Sequence, residues 1–309
     1  KKMDLSRLIG AKESSHYSHS AKAKFKPKEP KAETHLDDGV IEEIRPAIIS
    51  HGHAIVNRVL KNTDRAVGSR LSGLISFLYG PGEFKGHIQY RIEGAAGQSL
   101  GAFLVDNVEL RHCGVANDFV GKGMSGGLIT IRFPRTIRKS LEGNTIIGNV
   151  ALYGATGGEL LVAGKAGERF AVRNSGASAV VEGVGNHCCE YMTRGCVIVL
   201  GGIGKNFGAG MTGGVAFVYN QELAVVEKSI NAEYVKIDQL KNGDEDLIHK
   251  HIVSHEFHTG STIAKAIKAT WEIEKKRFVK ILPRAIEIVD FNKIYEEQFQ
   301  NRLLGVFSE

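Results

Sequence analysis

The sequence predicts an all-β solenoid, a parallel β-helix with helices at both ends. Three observations carry that expectation: an internal repeat, its period, and a small residue at one place in every copy. GKGMSGG at 121–127 is nearly repeated as GAGMTGG at 208–214, and each runs straight into apolar residues, LITI and VAFV. ATGGELLVAG (155–164), NSGASAVVEG (174–183) and MTRGCVIVLG (192–201) lie between them. The last small residue before each apolar run is Gly127, Gly158, Ala177, Gly195 and Gly214, at intervals of 31, 19, 18 and 19. An earlier partial copy, SLGAFLV (99–105), puts Gly101 a further 26 residues back. Such a period is too short for a propeller blade and has no helical phase. Three short strands and three turns fit one coil, and coils stack about 4.8 Å apart. Glycine then supplies tight turns where neighbouring backbones leave no room for a Cβ.

The elements follow in order. Residues 1–35 hold eight lysines and Arg7 against four acids, a net of +5 within a whole-chain charge of +6, and read as a basic polar linker or tail. The first residue is Lys, which suggests a piece of a longer polypeptide. Residues 36–65 read as a capping helix and lead-in. Val40, Ile41, Ile44, Ile48 and Ile49 share one helical face there, with Pro46 expected to kink or restart the helix. Residues 66–225 are the β-helix, with the strand-like NRVLKNTDRAVGSRLSGLISFLYG (57–80) as an irregular start and RFPRTIRKSLEGNT (132–145) as an insertion. Residues 226–309 form a C-terminal helical extension. DEDLIHKHIVSHEF (244–257) reads as one helix, and STIAKAIKATWEIEKKRF (261–278) as a second with Ser261 at its N-cap and Pro283 ending the pattern.

Composition narrows the class. The 309 residues are 42% hydrophobic and 24% charged, as in an ordinary globular protein, with 37 glycines against six prolines. No apolar run approaches the roughly 18 residues of a membrane span, and the first 35 residues contain no signal-peptide core. Cytoplasm or an organelle matrix is the expected location. The positive charge is concentrated in the tail, which argues against a nucleic-acid surface on the repeats. Cys113, Cys188, Cys189 and Cys196 lack disulfide or metal-site spacing and read as reduced, buried thiols. Adjacent Cys188 and Cys189 should point to opposite sides of a strand.

Several patterns could carry chemistry. Both glycine motifs satisfy G-x-G-x-x-G, yet each leads into strand residues where a dinucleotide site needs a helix. No phosphate-loop pattern exists either, because Gly204-Lys205 has Val199 in the first glycine's place and Asn206 after it. Glu159, Glu168 and Glu182 are acid–base candidates along one coil face, and pairing with Arg169 and Arg173 is the structural alternative. His249, His251, His255 and His258 crowd one predicted helix. His251 and His255 have zinc-ligand spacing, but a solvated helix face accounts for them too. Asn186-His187-Cys188-Cys189 raises a Cys/His nucleophile, with no third group to orient it.

Longer motifs resemble a known family. NTIIGNVALYGATGGE (144–159), GERFAVRNSGASAVVEGVGNHCCEYMTRG (167–195) and NFGAGMTGG (206–214) resemble the C-terminal GXGXG domain of the glutamate synthase large (alpha) subunit. AAGQSLGAFL (95–104), ANDFVGKGMSGG (116–127), TGS (259–261) and FVKILPR (278–284) extend the likeness over residues 57–284. The GXGXG subunit of formylmethanofuran dehydrogenase is a remoter likeness. The resemblance implies a right-handed β-helix of GXGXG type, packed between a glutamine-amidotransferase domain and an FMN/iron–sulfur synthase domain. It implies a structural role in making two glutamates from glutamine and 2-oxoglutarate. FMN, the cluster and the nucleophilic cysteine belong to those partner domains, so no catalytic, cofactor-binding or metal residue carries over. Asn186 stands where the family usually has Asp, and Cys188 and Arg194 where it has glycine. The alternative class is a stand-alone β-helix enzyme or binding module for a small molecule or glycan, with a pocket lined by Glu159, Glu168 and Glu182.

Overall fold

Runs such as CVIVL and VAFV are what a parallel strand covered on both faces looks like in sequence. In the computed structural model, which describes residues 35–134, 143–219 and 222–284, these runs become neighbouring strands of one 12-stranded sheet. The strands are β1 (His53–Leu60), β2 (His87–Ala96), β3 (Val108–Ala116), β4 (Ser125–Arg132), β5 (Thr145–Ile147), β6 (Gly157–Ala163), β7 (Lys165–Ala166), β8 (Ser175–Val181), β9 (Arg194–Val199), β10 (Val215–Tyr219), β11 (Val235–Asp238) and β12 (Phe278–Pro283). Their order is β1-β2-β3-β4-β6-β8-β9-β10-β12-β11, with β5 and β7 off this path. Every pairing is parallel except β10 with β12 and β11 with β12. The register joins Leu128, Glu159, Ser178, Cys196 and Val215, each one residue after the small residue that marks its repeat.

Six α-helices are present among the described residues: α1 (Leu36–Ile49), α2 (Ser69–Tyr79), α3 (Leu223–Ser229), α4 (Asn242–Thr259), α5 (Thr262–Ala269) and α6 (Trp271–Glu274). Alternation along β10 divides the molecule into layers. Ala216 and Val218 face a core shared with the turn segments and α1 and α2, whereas Val215, Phe217 and Tyr219 face a second core closed by Ile248 and Ile252 of α4 and Ala264 and Ile267 of α5.

This arrangement corrects the expected fold class. The chain is a mixed α/β fold built on a mostly parallel sheet, not an all-β solenoid of the β-helix kind. Three strands per repeat were expected, but most repeats contribute one long strand, and the rest of the repeat is turn. Those turns alternate in backbone handedness. Arg169, Ala171 and Arg173 have φ of 58°, 60° and 52°, and His187, Cys189 and Tyr191 follow the same rule one repeat on. Their N–H groups point alternately to the two neighbouring repeats: Arg169 to Asn186 O (2.8 Å), Ala171 to Ala151 O (2.9 Å) and Arg173 to Glu190 O (2.8 Å). These bonds hold non-glycine residues in a region they rarely visit. Glycine matters more where backbones nearly touch: a Cβ on Gly213 would lie 1.9 Å from Thr193 O.

Further expectations change in detail. SLGAFLV belongs to the turn layer, where Gly121 N bonds Leu100 O at 2.9 Å, so Gly101 is the counterpart of Gly121 and not of Gly127. The strand-like 57–80 divides into β1 and helix α2. The N-terminus of α2 is capped from outside by buried Asp37 of α1, whose carboxylate accepts from Gly68 N (2.9 Å) and Arg70 N (3.0 Å). Burial raises the Asp37 pKa despite those hydrogen bonds. Helix α1 runs through Pro46 to Ile49. Ser261 does cap α5, accepting from Ala264 N at 3.1 Å, but the expected long helix stops at Ala269, and FVKILP becomes β12. The basic tail and much of the insertion, residues 1–34 and 135–142, lie outside the described residues.

Candidate functional site

Helix α4 lies on the sheet where β4, β6 and β8 are neighbours, and it brings together residues far apart in the chain. His251, Ser254, His255 and His258 recur at helical spacing and face two carboxylates of the sheet layer. His251 Nδ1 lies 3.0 Å from Glu159 Oε1, and Ser254 Oγ donates to Glu159 Oε2 at 3.2 Å. A charged carboxylate only accepts, which places the imidazole proton on Nδ1. His255 Nε2 lies 3.5 Å from Glu182 Oε1, and Ser261 Oγ donates to the same oxygen. His251 and His255 are 1% and 0% exposed. This face of α4 is therefore buried, contrary to the solvated face expected of it.

Electrostatics agree with a structural junction. Burial pushes the Glu159 pKa up, but the His251 hydrogen bond and charge, with help from His258 and Ser254, outweigh it and hold the carboxyl below its usual range. Burial lowers the His258 pKa, Arg111 and His255 add to the effect, and Glu159 and Glu109 oppose it. A carboxyl held low is a poor general acid near neutrality. Ser254 and Ser261 each donate their one hydroxyl proton to a glutamate, so neither gives it to a histidine base as an activated nucleophile would. Hydrophobic interleaving by Ile248 and Ile252 with these polar residues was the signal available in the sequence.

The remaining candidates separate. Glu168 lies on the turn layer, away from Glu159 and Glu182, where it accepts from Asn186 Nδ2 at 3.3 Å. Arg169 pairs with Glu190 at 3.5 Å, and Arg173 lies over the Tyr191 ring, so neither arginine serves the two covered carboxylates. His249 packs against Trp271 with the rings tilted by 51°. His187 turns its Nδ1 to Asn206 Nδ2 at 3.1 Å, away from the thiols. Cys188 and Cys189 sit in a turn, not a strand, and both face inward, because the positive φ of Cys189 reverses its direction; their sulfurs are 3.7 Å apart. Burial raises the Cys188 pKa, and all four cysteines are free thiols, with Cys113 half-buried and the others buried.

No group of three His, Cys, Asp or Glu among the described residues has the geometry of a metal site, and the scattered thiols do not fit an iron–sulfur cluster. Nor do the glycine motifs fit a flavin or dinucleotide phosphate. The N–H groups of Gly208, Met211, Thr212 and Gly213 all donate to carbonyls, and β10 follows them in place of a helix. No described helix is long and apolar enough to cross a membrane.

Two of the three departures noted in the sequence, Asn186 and Cys188, have physical accounts. Asn186 Oδ1 accepts from Lys205 N at 2.7 Å while its amide donates to Glu168; an aspartate there would set two carboxylates face to face. Cys188 does not have the positive φ that would call for glycine, and its side chain fills core. Arg194 opens β9 as an exposed residue.

Sequence comparison places these features in a family. The family described as GXGXG motif matches residues 37–284, and the chain belongs to it. Relatives include ferredoxin-dependent glutamate synthase 2 of Synechocystis, 47% identical over 252 residues, covering 80% of this chain and 16% of that protein. The NADH glutamate synthase of Schizosaccharomyces pombe is 45% identical, covering 83% of this chain and 12% of its own length. The large chain of the Bacillus subtilis NADPH glutamate synthase is 41% identical, covering 84% and 17%. The chain thus corresponds to between 12 and 17% of the length of these relatives.

Proposed function

We propose that this chain is a non-catalytic structural part of a glutamate synthase, holding the amidotransferase and the FMN/iron–sulfur synthase parts in register while they convert glutamine and 2-oxoglutarate to two glutamates. The flavin and the cluster are carried by those other parts. One observation bears most of the weight. The best acid–base candidates, Glu159 and Glu182, are spent on the side chains that fasten α4 to the sheet. The relatives, all glutamate synthases several times longer, support the assignment to that enzyme.

A two-site enzyme that passes a reactive product gains from fixed geometry between its sites. A wide parallel sheet with its two faces covered suits that task, because its registers cannot slip without exposing core. The purified chain should hydrolyse no glutamine, form no glutamate and show no flavin absorbance. Turnover or stoichiometric flavin in the isolated chain refutes the proposal.

A further inference from the structure

The turn layer carries two exposed aromatic rings held against its backbone. Phe103 and Tyr191 stand in one column of the repeat, about 19 Å apart at four strand spacings, and are 59% and 53% exposed. Their rings are not loose. Each lies over a glycine of the next repeat, since a Cβ on Gly123 would sit 2.7 Å from the Phe103 ring and one on Gly210 would sit 2.4 Å from that of Tyr191. These glycines seat exposed rings flat against the backbone. Between them Arg173 lies 5.6 Å from the Tyr191 ring centre. Lys122, Arg173 and Lys205 have no ion pair among the described residues, whereas Glu190 is already taken by Arg169.

We infer that this face is a docking surface for an acidic protein partner that presents carboxylates to the free cations and recesses to the two rings. Pre-seated aromatic rings, one of them beside an arginine, have the make-up of an interface centre, because little side-chain freedom is lost on binding. Three unneutralised cations name the partner's charge. A polyphosphate chain is disfavoured by Glu168 and Glu190, which stand within the same face. The inference rests on the proposal that the chain works inside a glutamate synthase, whose other parts supply the partner.

The test is photo-crosslinking in the intact glutamate synthase that contains this sequence. Tyr191 or Phe103 is replaced by p-benzoylphenylalanine, with Phe257 of α4, 76% exposed, as the control position. Crosslinks from 191 and 103 should map to an acidic segment of another part of the assembly. Arg173→Glu or high salt should lower the yield at least fivefold, and Arg173→Lys should restore it. No crosslink, a crosslink to a second copy or to nucleic acid, or a yield indifferent to Arg173→Glu would overturn the docking surface. Crosslinks of the expected kind in an assembly that forms no glutamate from glutamine would instead leave the surface standing and remove the enzyme assignment.

Discussion

The helix-covered face of the sheet and the turn layer use charged residues in opposite ways. Under α4 and around its ends, carboxylates have partners inside the chain: Glu159 bonds His251, Glu182 faces His255, and Asp244 pairs with Lys280 at 2.7 Å. On the turn layer, Lys122, Arg173 and Lys205 stand without a carboxylate among the described residues. The first pattern stabilises a junction that is already complete. The second leaves cations and exposed rings available to something else. The lesson is that a candidate carboxylate is judged by what already holds it, and a candidate surface by what does not.

That contrast can be broken at several points. The largest effect should come from Lys280→Met, which strands Asp244 in a mostly buried site and should cost about 3–5 kcal/mol in urea unfolding. A loss below about 1 kcal/mol would mean that water reaches the pair. Gly213→Ala should come next, at about 1–3 kcal/mol, because its Cβ would strike Thr193 O.

Acid should loosen the α4 face in two stages. His258 has a lowered pKa in the fold, so its contribution is present above the unfolded value of about 6.5 and falls away as pH drops below it. Glu159 also has a lowered pKa, so the stability it supplies is present above its unfolded value of about 4.3 and is lost as pH falls through the folded one. His258→Gln should flatten the upper stage and Glu159→Gln the lower, read from urea midpoints across the acid range. If both variants keep the wild-type profile, the junction does not titrate.

Smaller effects belong to the turn layer. Asn186→Asp should destabilise by about 0.5 kcal/mol through repulsion with Glu168, and Glu168→Gln should cancel that loss in a double-mutant cycle. Arg173→Glu should change the stability of the chain by less than about 0.5 kcal/mol. A larger loss would make this face structural and not free for a partner.

Much of the molecule was legible from local pattern. The 19-residue spacing located strand after strand, because parallel pairing forces chemically equivalent residues into register; Glu159, Ser178, Cys196 and Val215 meet as the repeat requires. Ser261 was readable as a cap because capping is a local hydrogen bond. Helix α2 was not, since Gly68 gives it no side-chain cap and the carboxylate that does the work arrives from Asp37, 31 residues earlier. Strand β12 was hidden within a helical pattern, as its fate depends on pairing with β10 and β11.

The site divides along the same line. Residue types at Glu159, Glu182, His251 and His255 were noticeable individually, but neither group announces the other across the 92 residues between Glu159 and His251. By itself the sequence determined the repeat, its register, the glycines that backbone contact demands and the family to which the chain belongs. Only the tertiary structure decided that most repeats lay down one strand and not three, that a helix closes over the carboxylates, and that the rings of Phe103 and Tyr191 stay outside. The physical reason is range. Period and turn chemistry act between near neighbours, whereas the covering of a sheet face is settled by whichever distant segment buries the most apolar surface against it.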